Sequence, residues 1–147
     1  MKNRGFTLIE VILVVLIFSL AVGMVAPRIG GGALRMKERN FVTAMVESLL
    51  KSREKALASG KTEIFFIDSG ERTFGVGQNA HGRIPENADI YAEGLEDLGN
   101  GRYAVRFFPD GTAPPVKLDV TFDRERQYII SVDPILNSVS WTEGTSS

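Results

Sequence analysis

Residues Phe6 to Ala26 read FTLIEVILVVLIFSLAVGMVA, an apolar run broken by a single charge, Glu10. Wound as a helix at ~1.5 Å per residue, the run spans about 30 Å, the thickness of a bilayer's hydrocarbon core. Val, Ile and Leu occupy all sides, so no polar face is available to water. Lys2, Arg4 and the initiator amine precede the run, which favours a cytoplasmic N-terminus. Arg28, Arg35, Lys37 and Arg39 follow it, so charge asymmetry alone does not fix the orientation.

Three readings of this segment compete. A secretory signal peptide needs small residues and a cleavage site after the apolar run. Ala21-Val22-Gly23 would have to serve, and the helix-like sequence continuing beyond argues against it. A plain membrane anchor explains everything except Glu10. An ionised carboxylate at membrane depth is costly, and such a residue commonly has a partner or a task.

The hexapeptide Gly5-Phe6-Thr7-Leu8-Ile9-Glu10, set behind a basic leader and ahead of the apolar run, resembles the class III signal of type IV pilins and type II secretion pseudopilins. The resemblance implies that a prepilin peptidase cuts between Gly5 and Phe6 and methylates the new N-terminus. Residues 1–5 would then be a cleaved leader, with 6–26 retained as transmembrane and filament-core helix. It also gives Glu10 an assembly role, in which its carboxylate meets the Phe6 ammonium of a neighbouring subunit. Opposite charges attract far more strongly in a low-dielectric setting, and each is less costly beside the other. A Phe6–Glu10 contact within one chain is the alternative. Pro27 matches a helix-kinking proline common in the same family.

Pro27-Arg28-Ile29-Gly30-Gly31-Gly32 should interrupt the helix. Proline removes a backbone donor and consecutive glycines have poor helix propensity. Residues 27–32 are therefore expected to form a kink, or a melted stretch, serving as linker or hinge. Residues 33–60 resume as an amphipathic helix. Phe41, Val42, Met45, Val46, Leu49, Leu50 and Leu57 recur at i, i+3, i+4 spacing, and Glu47–Lys51 is a favourable pair. Gly60 is a natural C-terminal stop.

Beyond Gly60 the apolar period becomes that of strands. Expected strands are 62–68, 71–76, 88–92, 103–108, 116–122 and 127–132, with 139–141 closing an edge. Ser69-Gly70 and Asp123–Arg126 read as hairpin turns, and Pro109-Asp110-Gly111 as a further turn. A long helix followed by antiparallel strands is an α+β pattern. "ALASGKTEIFFID" and "RFFPDGTA" are similar to segments of the GspH/FimT group of minor pseudopilins and minor pilins. That resemblance implies a pilin-like fold, a long N-terminal helix packed on a C-terminal antiparallel sheet domain of residues 61–147. It further implies a structural subunit without catalysis, crossing the inner membrane once, with its C-terminal domain in the periplasm and assembled into a pseudopilus. The implied partners are other pseudopilin subunits, the prepilin peptidase, the inner-membrane assembly platform, membrane lipid and secreted cargo.

Composition narrows the alternatives. With 17 basic and 18 acidic residues, net charge is −1, so no global basic field points to nucleic acid. There is no cysteine, which excludes disulfides, thiolate metal sites and thiol nucleophiles. His81 is the single histidine and reads as solvated loop. Gly75-Val76-Gly77 opens no helix and is not a dinucleotide fingerprint. Asp68, Asp110, Asp123 and Asp133 sit at turns, where Asp bonds its own backbone. No calcium-ligand cluster like that of the major pseudopilins is apparent, and no metal or cofactor is expected. Glu86, Asp89, Glu93, Glu96 and Asp97 form an acidic stretch, either a solvated loop or a contact for another subunit or cargo. Trp141 reads as a sheet-packing residue and Thr142–Ser147 as a frayed end.

Two functions remain. One is a minor pseudopilin of a type II secretion system. The other is a FimT-like minor pilin of a type IV pilus, in pilus assembly or DNA uptake. DNA uptake needs basic residues presented to phosphate. The tail VSWTEGTSS offers none, and Arg124 and Arg126 share a turn with Asp123 and Glu125. Secretion is favoured, and no nucleic-acid partner is expected.

Overall fold

A computed structural model describes the backbone of residues 7–134 and 138–145, and the side chains of these except 22–31 and 145. One helix, α1 (Leu8–Ser59), is followed by nine strands. They are β1 (Glu63–Asp68), β2 (Thr73–Val76), β3 (Asn79–Arg83), β4 (Ala88–Glu93), β5 (Glu96–Gly99), β6 (Arg102–Phe107), β7 (Val116–Phe122), β8 (Arg126–Asp133) and β9 (Ser138–Thr145). All pairings are antiparallel, so the α+β class holds. The strands form two sheets, ordered β3-β2-β1-β6-β5 and β4-β7-β8-β9.

The chain divides into two compact units at the Lys37/Glu38 boundary. In the first, the backbone is helical from Leu8 onward and stays helical through Pro27–Gly32, where a kink or melted stretch was expected. A proline leaves one helical bond unmade, and turns on both sides can carry the helix past it. The Pro27 side chain lies outside the described residues.

The second unit holds the core. Phe41, Val42, Met45, Leu49 and Ala56 of α1 are buried with Phe65, Phe74, Val105, Phe107, Leu118, Val120, Phe122, Tyr128 and Ile130. The i, i+3, i+4, i+7 spacing of 38, 41, 42 and 45 places these positions on one helix face. Phe41 stands edge-on to Phe74 at 5.6 Å and to Phe122 at 5.9 Å, so one helix residue touches an aromatic ring from each sheet. Leu57, expected on the stripe, is 48% exposed. Ser48 and Ser52 are buried instead, each donating to a carbonyl four residues back. Gly60 ends the helix in a left-handed conformation at φ 65°, its N–H donating to Ala56 O.

Two strands were missed and one was cut short. β3 is exposed along most of its length and carries His81, which the sequence placed in a loop. β5 is four polar-to-apolar residues without alternation, EDLG. Neither has the buried face on which a period-2 reading depends. β9 runs to Thr145, so Thr142–Thr145 is paired strand rather than frayed end. Pairing with β8 supplies order that the polar sequence conceals.

Candidate functional site

Glu10 lies in the first turn of α1. Its N–H and that of Val11 donate to Thr7 O at 3.0 and 3.3 Å, closing the opening turn. A carboxylate there favours the helix macrodipole, which is a purely local reason for its presence. Around it Leu8, Ile9, Val11, Ile12, Leu13, Val14, Val15, Leu16, Ile17 and Phe18 are each half or more exposed. Ser19 satisfies its hydroxyl internally, donating to Val15 O at 2.7 Å. The described helix surface from Leu8 to Leu20 is thus apolar on every side, with Glu10 its one charge. Among the described residues no helix is long and apolar enough to cross a membrane, and the expected span of residues 6–26 runs beyond the described side chains at both ends. Gly5 and Phe6 lie outside the described residues, as does the Pro27 side chain.

The second unit binds its part of α1 through a pair the sequence reading overlooked. Glu38 is 4% exposed. Its carboxylate accepts from Arg126 Nε at 2.9 Å and Nη2 at 2.6 Å, and from the Tyr128 hydroxyl at 3.4 Å. Glu38 raises the Arg126 pKa through these bonds. Arg126 is set by the tight turn before it, where Asp123 and Arg124 both adopt left-handed backbone and Glu125 N–H donates to Phe122 O. Asn87 Nδ2 holds Asp123 Oδ2 at 3.0 Å. The signal was present: Glu38 stands three residues before Phe41, on the apolar stripe itself. Arg126 is therefore occupied, which removes a cation from those available to phosphate.

Trp141 packs against the core as expected, 5.8 Å from the Tyr128 ring, with the Arg39 guanidinium 5.6 Å from its own centroid. The acidic stretch is mostly strand rather than loop. Glu96 is bound through two bonds by Arg106, whose hydrogen bond holds the Glu96 carboxyl below its usual range. Asp97 accepts from Gly99 N–H at 2.7 Å. Asp68 accepts from Glu71 N–H, and Asp110 from both the N–H and hydroxyl of Thr112, so these are turn-forming side chains. Among the described residues no three His, Asp or Glu gather as metal ligands.

Gly75 is explained by packing. A Cβ there would overlap the Asn79 carbonyl, at the point where the β2–β3 register shifts.

Residues 1–26 match the model of the prokaryotic N-terminal methylation motif. Over 125 residues the chain is 28% identical to the type II secretion system protein H of Xanthomonas campestris pv. campestris, covering 84% of this chain and 74% of that one. Its fold matches the minor pseudopilin EpsH from the type 2 secretion system of Vibrio cholerae, with TM-score 0.53 and 17% identity, over 74% of this chain and 95% of that one.

The chain is thus similar to a type II secretion protein H in sequence and to a minor pseudopilin in fold. A GspH-like fold accounts for the helix-first order and for antiparallel strands packed on the helix's second half. The motif covers residues 1–26 and the fold match covers 74% of the chain.

Proposed function

We propose that this protein is a minor pseudopilin of a type II secretion system, a structural subunit of the periplasmic pseudopilus. The observation that carries the proposal is the similarity to a secretion system protein H along 125 residues, joined to an N-terminal methylation motif in the same chain. In this reading the prepilin peptidase cleaves after Gly5 and methylates Phe6. Residues 6–26 hold the subunit in the inner membrane until an assembly platform moves it into the filament. The apolar surface from Leu8 to Leu20 then packs against neighbouring subunits, where an exposed belt of this size would otherwise be unfavourable in water.

Glu10 is the register determinant. Among apolar helices sliding past each other, one carboxylate seeking one ammonium distinguishes a single axial position. The folded second unit carries out no catalysis in this reading and supplies a rigid body outside the membrane. Other pseudopilin subunits are its partners, with cargo a further contact.

Deleting the gene tests the proposal. Loss of a secreted enzyme from the medium, restored by the intact gene, is expected while surface pili and DNA uptake are unchanged. Normal secretion with defective pili would move the protein to a type IV pilus. The occupied state of Arg126 removes one cation from those that a DNA-uptake pilin would present to phosphate.

A further inference from the structure

Between Glu10 and Glu38 the chain carries no acidic residue, and its bases there are Arg28, Arg35 and Lys37. Glu38 itself is buried and held by Arg126, so its charge is already matched. Every residue from Gly32 to Lys37 is exposed on a backbone that is helical throughout. Neither Arg35 nor Lys37 has an ion pair among the described residues. Leu34 and Met36, 51% and 65% exposed, set apolar groups between these bases. At ~100° per residue the four positions from 34 to 37 fall on different sides of the helix. A protein partner meets one side of a helix, and these residues offer it no single face. A bilayer surface surrounds a helix on every side, and its interfacial layer takes up cationic and apolar groups together.

The axial spacing fits such a surface, given the membrane span of residues 6–26 proposed above, on which this inference rests. With Ala26 at the edge of the hydrocarbon, Arg35 and Lys37 lie ~13 and ~16 Å farther along α1 at ~1.5 Å per residue. The headgroup layer fills the first ~6 Å of that distance. Helical side chains lean toward the N-terminus, here back toward the bilayer, and long cationic side chains extend to reach phosphate. The two charges thereby come within about one Debye length, ~8 Å, of the headgroups. Their side of the membrane adds weight. Lys and Arg are ordinarily concentrated on the cytoplasmic flank of a membrane segment. Bases without acids on the exported flank run against that bias and call for a compensating contact.

We propose that Gly32 to Lys37 form a collar that binds anionic phospholipid headgroups of the periplasm-facing leaflet through Arg35 and Lys37. The collar fixes the depth of the subunit in the bilayer before assembly. Moving the subunit into a filament breaks these contacts, so the collar also sets part of the cost of extraction.

The chain has no cysteine, and a Cβ at Gly32 would meet nothing within 4 Å. Gly32→Cys therefore accepts a fluorophore at the collar. The labelled full-length protein is reconstituted in phosphatidylcholine vesicles that contain equal small amounts of either phosphatidylglycerol or phosphatidylcholine spin-labelled near the top of an acyl chain. Quenching by each lipid gives their relative occupancy beside the probe. Phosphatidylglycerol is expected to be preferred about fivefold or more, the scale of one to two bases at an anionic surface. Arg35→Gln with Lys37→Gln should bring the preference below about twofold, and molar salt should do the same, with the thermal midpoint of the second unit unchanged. Arg35→Lys should retain it. Equal quenching by the two lipids, or a preference that survives both charge removal and salt, would overturn the collar and leave Arg35 and Lys37 to a neighbouring subunit, with the membrane span intact. Absence of quenching by either lipid would overturn the span itself, and the collar with it.

Discussion

Glu38 and Arg126, separated by 88 positions in sequence, form a two-bond ion pair that ties α1 to the first residue of β8. Glu38 is also the first residue of the compact second unit. A buried pair of this kind adds modest net stability, yet removing one partner strands the other charge. Glu38→Gln should therefore lower the thermal midpoint by about 5 °C or more. Glu38→Met combined with Arg126→Met should recover a large part of that loss. Thermal unfolding followed by circular dichroism checks both. A double variant less stable than the single one would contradict this account.

Tyr128 gives a pH signature. Burial, then the nearby Glu143 and Glu38 carboxylates, raise its pKa above the ordinary 10.0. A raised pKa in the folded state means that the folded protein favours the protonated phenol. Its contribution is complete below the unfolded value and is lost as pH rises through the folded one. Stability should fall above about pH 10, and Tyr128→Phe should flatten that fall. Denaturant midpoints measured across the alkaline range decide it.

Core truncation should be severe where the two sheets and the helix meet. Leu118 is fully buried on β7, so Leu118→Ala should cost about 3 kcal/mol. Gly75→Ala should also destabilise, because the added methyl meets the Asn79 backbone rather than a side chain that could turn aside. Urea unfolding of both variants measures the effects.

These contrasts show what the residues could announce. The helix stripe from Phe41 to Leu49 was legible because burial on one face imposes a helical period. β7, with its buried-every-second-residue pattern, was legible for the same reason. β3 and β5 were not, because mostly exposed strands have no apolar alternation to read. Glu38 was hidden by its chemistry. A charged residue on an apolar stripe reads as surface until its partner arrives from β8. Glu10 was legible from the opposite cause, as the one charge in a run that left it no polar company.

The assembly role proposed for Glu10 predicts a separation of folding from assembly. Glu10 sits in the first turn of α1, far in sequence from the core that begins at Phe41. Glu10→Ala should leave the second unit's thermal midpoint unchanged while reducing recovery of the subunit in sheared filaments by about tenfold, the change expected for one strong interaction. Equal incorporation of the variant and the parent would end the register role.

The proposed processing step is tested most directly by the mass of the N-terminal peptide from the protein made in cells with an active prepilin peptidase. The expected peptide begins at Phe6 and carries one methyl group on its amine. A peptide that retains Met1–Gly5 would contradict it.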